Sequence, residues 1–175
     1  MATFETDRSY RVLDLFVTGV RNAHALERQA LSVMSPQLDR SKDYPEVVDK
    51  LRMHIEETHG QLRRLDEIMA MLDETHSSMK DAALSVVGGM AGISHSLAGD
   101  AILKDSFANY AFENYEIAAY ESLIIMANGS QMQQAVPLLE QTLTEEQRMA
   151  EWIQQSLPML TRRYIEISAG RATSR

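Results

Sequence analysis

The sequence predicts an all-α fold in which four long helices form one bundle, and three observations carry that expectation. Apolar residues recur at three- and four-residue spacing along nearly the whole chain, the mark of helices that bury one face. Alternating strand patterns joined by tight hairpin turns do not occur. A length of 175 residues with 45% hydrophobic content suits a single domain with a real core.

The first helix is expected from about Asp7 to Met34, with Tyr10, Leu13, Val17, Val20, Leu31 and Met34 as its inner stripe and Pro36 beyond its end. A second starts at Tyr44-Pro45 and continues to about Glu74. From His76 to Asp100 the chain is rich in Gly, Ala and Ser, and Gly88-Gly89 and Gly92 lower helix propensity, which predicts a crossover carrying a short extra helix. The third helix spans about Leu103 to Ala127 and stops at Asn128-Gly129, with Ser130 placed to cap the fourth. That fourth helix covers about Gln131 to Leu157. Pro137 is expected to kink its first turns, and Pro158 to bend or end it before a segment through Ile167. The domain is thus read as residues 1–168, with 169–175 a flexible tail. One long connection between the second and third helices is the ferritin-like variant of the four-helix bundle.

Composition removes several classes of function. Seventeen Lys+Arg against 25 Asp+Glu give a formal net charge of −8, which disfavours a nucleic-acid partner. With no cysteine, disulfides, iron–sulfur clusters and thiol catalysis are excluded, so any metal has to be held by oxygen and imidazole nitrogen. The N-terminus lacks the layout of a signal peptide and no apolar run has membrane-spanning length, so the expectation is a cytoplasmic protein with no membrane partner.

The run His54-Ile-Glu-Glu-Thr-His-Gly-Gln61 holds the Glu56-x-x-His59 pair, whose spacing puts both side chains on one helix face. In a helix bundle such a pair is a piece of a two-metal carboxylate site. Each other helix offers a partner. Glu27 lies among Ala23, Ala30 and Leu31; Glu113 and Glu116 share a stripe with Phe112, Tyr120 and Leu123; Glu146 is bracketed by Leu143, Met149, Ala150 and Ile153. Taken singly, each is more often a solvated surface residue, and Glu121 has similar flanks although it points away from Glu116. The combination across four helices is the stronger signal. His24 could support Glu27, Tyr115 and Tyr120 could bond a ligand, carry a radical or simply pack, and His54, His76 and His95 show no partner.

These residues carry a resemblance. His54-Ile-Glu-Glu-Thr-His-Gly-Gln61 and Tyr115-Glu-Ile-Ala-Ala-Tyr120, with Glu27-Arg-Gln29 and Leu138-Leu-Glu-Gln-Thr-Leu-Thr-Glu-Glu146 in support, make the chain similar to the YciE/YciF-like proteins. That ferritin-like group is associated with bacterial stress responses. More widely the chain resembles rubrerythrin-type di-iron proteins, which implies metal ligands at Glu27, Glu56, His59, Glu113, Glu116 and Glu146. Met149 stands where the pattern has a second His, and Ala150 where similar proteins carry an acid, which leaves the second metal position in doubt and Glu145 as a fallback ligand.

The resemblance implies two functions. One is a di-metal protein, with two iron ions or else Mn or Zn, acting as an oxidase or peroxidase, in which Glu56 and Glu116 bridge. The other is a structural or interaction protein of the stress response that keeps a partial metal site. Apolar residues on more than one face of the first and third helices favour a homodimer, and nothing distinct indicates a cage-forming store.

Overall fold

The computed structural model describes residues 2–72 and 101–173, with side chains from residues 11–72 and 101–170. Four helices account for almost all of them: α1 (Ala2–Arg40), α2 (Pro45–Met71), α3 (Ala101–Gly129) and α4 (Val136–Thr173), with a single 3-10 turn at Gln133–Ala135 before α4. They form the ferritin-like bundle. The expected crossover with its short helix, and with it His76 and His95, lies outside the described residues, as does the side chain of Tyr10.

Side-chain pairs set the direction of each helix. Gln37, near the end of α1, pairs with Asn109, near the start of α3, and Glu27 pairs with Tyr120 further along, so α1 and α3 are antiparallel. The short turn Ser41–Tyr44 reverses the chain into α2. Helices α2 and α3 therefore run parallel, an order that requires one long connection. Gln61 meets Glu146 and Arg64 meets Thr142, which makes α2 and α4 antiparallel. Gly19 lies tight against α3, because a Cβ there would stand 2.7 Å from Leu123 Cδ2.

Pro45 stands where the sequence expectation put it, at the start of the second helix, whereas the other three prolines act differently. Pro45 begins α2 and Pro137 falls in the first turn of α4, where a missing N–H costs nothing. Pro36 and Pro158, by contrast, sit inside helices. Beyond Pro36, α1 is held by the reciprocal amide pair of Gln37 and Asn109 (3.0 and 2.8 Å) and by Arg40 on Asp105 (3.0 Å). Beyond Pro158, Leu160 is buried and Arg163 reaches Glu46 (3.1 Å) while lying over the Tyr44 ring, so α4 runs on to Thr173, past the start of the expected tail. Tertiary contacts outweigh the lost backbone bond at both places. Ser130 also differs: its hydroxyl donates back to the Met126 carbonyl (2.8 Å), closing α3 instead of opening α4, and Gln131 takes the left-handed conformation (φ 63°) that turns the chain.

The core has two apolar parts. Phe16, Val20, Leu65, Ile68, Tyr120, Leu123 and Leu139 belong to one, and Leu26, Met34, Leu51, Phe112, Met149, Ile153 and Leu160 to the other. Between them, crossing all four helices, lies a buried polar layer. Among the described residues no helix is long and apolar enough to cross a membrane.

If the segment after Pro158 is anchored as described, Leu160→Ala should lower stability by about 2–5 kcal/mol in a denaturant melt. A change near zero would mean that this segment does not pack on the bundle.

Candidate metal centre

Helix α2 turns a stripe of Val47, Leu51, His54, Thr58, Gln61, Leu65 and Ile68 inward. The alternating steps of three and four residues keep that stripe on one face. His54, Thr58 and Gln61 are its polar middle, and they meet Glu27 from α1, Glu113 and Glu116 from α3 and Glu146 from α4, every one of them buried. His54 is the hub. Its Nε2 is 3.3 Å from Glu113 Oε2 and 3.5 Å from Glu146 Oε2, while Nδ1 is 3.0 Å from Glu57 Oε2 at the layer's edge. One ligand atom from each of His54, Glu113 and Glu146 can be chosen so that all lie within 4.8 Å of one another, and these three could hold a metal ion.

Hydrogen bonds fix the periphery. Tyr120 donates its hydroxyl to Glu27, and the Gln61 amide donates to Glu146 and to Glu145 (3.2 Å). Glu145 is also taken by Arg64, which donates to Thr142 (3.0 Å) as well. Inside this frame Glu113 Oε2, Glu116 Oε1, Glu146 Oε2 and Gln61 Oε1 are buried and accept no hydrogen bond. Buried polar atoms without partners are costly, and acceptor atoms collected in one layer fit a cation. The donor set, carboxylate oxygen with imidazole nitrogen, suits hard and borderline divalent metals.

Of the sequence-predicted ligands, Glu27, Glu113, Glu116 and Glu146 come together in this layer, but Glu56 and His59 are exposed on the far side of α2. Glu56 lies nine residues before Leu65, about two and a half turns, so an inward Leu65 puts Glu56 outward. His54, read as lacking a partner, takes the inward place, with Glu57 in the offset position. The signal available for it was the stripe running from Leu51 through His54 to Leu65. His24 faces Asp66 (3.3 Å) on α2. Tyr115 is exposed, Tyr120 is buried, and Met149 packs into the apolar part below the layer.

A family model described as "Domain of unknown function (DUF892)" matches residues 11–166. Protein YciF of Escherichia coli (strain K12) is 28% identical over 143 residues, covering 76% of this chain and 82% of that protein. A protein of Xanthomonas campestris pv. campestris has a similar solved structure, with TM-score 0.75 and 24% identity, covering 90% of this chain and 99% of the other. The E. coli stress protein YciF superposes with TM-score 0.66 and 22% identity over 83% of this chain and 94% of its own. YcfI, a putative structural protein from Rhodopseudomonas palustris, gives 0.64 and 22% over 82% and 92%. At these identities the structural likeness is one of fold.

The layer's electrostatics arise from its burial. Desolvation pushes the Glu27 carboxyl up from 4.5 to about 8 despite the Tyr120 hydrogen bond. Burial, then the neighbouring carboxylates, raise Glu116 and Glu146 well above the carboxylate range. For His54 burial opposes the charge, but Glu113 and Glu57 outweigh it and lift the imidazolium from 6.5 to about 9. Glu57 is lowered, chiefly by its bond with His54. A group whose pKa is raised on folding binds its proton more tightly in the folded state. Its stabilising contribution is full below the unfolded value and is lost as pH rises through the folded one. The metal-free protein should therefore lose stability as pH climbs from 4.5 through 8 for Glu27 and from 6.5 through 9 for His54. Thermal melts in chelator across that range should show the melting temperature falling, and falling less steeply in Glu27→Gln. A flat or rising profile would contradict the assignment.

Proposed function

The chain belongs to the family described as a domain of unknown function, DUF892, as a YciF-like member, and on that premise we propose that it binds divalent cations in the carboxylate layer of its core. The observation that supports this best is His54 Nε2 facing Glu113 Oε2 and Glu146 Oε2, in a layer where Glu116 Oε1 is buried and accepts no hydrogen bond. In this reading His54, Glu113 and Glu146 would hold one ion, and Glu27 and Glu116 would hold a second. Glu57 fixes the histidine by accepting from Nδ1, which leaves Nε2 to ligate, and Tyr120 orients Glu27. Filling the site displaces the protons that the buried carboxyls and His54 otherwise keep.

Iron is the ion this reading favours, with Mn and Zn as alternatives for the same donor set. Bound iron would supply one-electron chemistry towards oxygen or peroxide, the basis for an oxidase or peroxidase role in the stress response. A second reading is a non-catalytic stress protein holding metal without turnover. It draws support from Met149, which fills with apolar packing the place of a second histidine, and from relatives described as a stress protein and a putative structural protein. The protein would act as a homodimer in the cytoplasm, with the exposed Leu15 and Tyr115 beside the α1–α3 groove as the apolar surface for a second copy.

Anaerobic Fe(II) titration is expected to show tight binding by the wild type and at least about tenfold weaker binding by His54→Ala and Glu116→Gln. Glu56→Ala should bind as the wild type does. Equal binding by all four proteins would reject the site. Exposure of the loaded protein to oxygen or peroxide then separates the two readings, since an unchanged iron spectrum leaves only the non-catalytic one. For the dimer, Tyr115→Glu should shift the mass measured by light scattering to that of a monomer, and an unaltered mass would place the interface elsewhere.

A further inference from the structure

Gln61 is an uncharged side chain of the layer whose amide oxygen accepts no hydrogen bond. It is fully buried on α2, two turns beyond His54 on the same inward stripe. Its orientation is fixed by Nε2, which donates to carboxylates of both Glu145 and Glu146; turning the amide over would set Oε1 against those same acceptors. Oε1 is thereby left buried without a donor. Since the two amide atoms share one carbon, Oε1 stays about 2 Å from Nε2, inside the carboxylate layer. The hydrogen bonds that orient Gln61 do nothing to satisfy this oxygen.

Charge gives the same indication. Glu27, Glu113, Glu116 and Glu146 carry four negative charges when ionised, while Glu145 is offset by Arg64. Two divalent ions balance those four. A neutral further ligand keeps that balance, as His54 does once its proton is gone, and the Gln61 amide offers a neutral oxygen. We infer that Gln61 contacts metal directly, its Oε1 serving the second ion. The inference rests on the metal-binding reading above.

Mn(II) alone is the probe, added to the full chain in calorimetric titrations and followed by electron paramagnetic resonance. Wild type should bind two ions and give the spectrum of a coupled pair. Gln61→Leu should keep the first ion but bind the second at least about tenfold more weakly, showing the six-line signal of isolated Mn(II). Gln61→Glu separates ligation from hydrogen bonding, because it keeps an oxygen at the position and loses the donor to Glu146. A ligand role predicts that Gln61→Glu retains both ions. A role limited to hydrogen bonding predicts that it fails as Gln61→Leu does, which would overturn the inference. So would a Gln61→Leu protein that binds two ions as tightly as the wild type, or a wild type that binds only one ion, an outcome that leaves the His54, Glu113 and Glu146 site standing. No Mn(II) or Fe(II) binding by the wild type would refute the metal reading itself.

Discussion

The structure depends on how four carboxyl groups can share a dry interior. Glu27, Glu113, Glu116 and Glu146 are buried between two apolar clusters, and leaving such groups ionised without a partner would cost several kcal/mol apiece. Only protons or cations can settle that charge. His54 supplies part of the answer, being held charged by Glu113 and Glu57. Protons on Glu27, Glu116 and Glu146 supply the rest when no metal is there. Each of these is exchangeable for a divalent ion, so the interior has two ways of being neutral, and pH and metal supply decide between them.

Adjacent residues meet different fates in this layer. Glu146 points into its centre with an oxygen unpartnered, whereas Glu145, one residue away and so about 100° round the helix, is claimed by Arg64, Gln61 and Gln141. Arg64 therefore counters a peripheral charge and leaves the inner four to His54, to protons or to metal. A cation placed deeper would have done a metal's work permanently. By standing at the edge, Arg64 limits the number of negative charges facing the site without filling it.

The sequence made the fold legible because helical periodicity is written locally, and the inward carboxylates of α1, α3 and α4 could be read from apolar flanks on both sides. Helix α2 shows where this fails. Glu56-x-x-His59 has the spacing of a ligand pair, but spacing alone does not give phase, and the phase was set by Leu51 and Leu65. His54 was missed for a related reason: the groups that make it matter, Glu113 and Glu146, come from other helices. The same holds for Pro36 and Pro158. Their local effect is to break a helix, and only distant partners such as Asn109, Asp105 and Glu46 show why the helices continue.

Two pairings along the α1–α3 seam have a wider consequence. Gln37 with Asn109 and Glu27 with Tyr120 are separated by ten residues on one helix and eleven on the other, about 15 Å of rise on each. Together they act as a two-point ruler, because sliding either helix by a turn would strand a buried amide pair and a buried phenol at once. The spacing of Glu27 from Glu113 and Glu116 is thus measured out by contacts between the two helices. Loops at the ends of these two helices could then change in length while the α1–α3 seam keeps its dimensions.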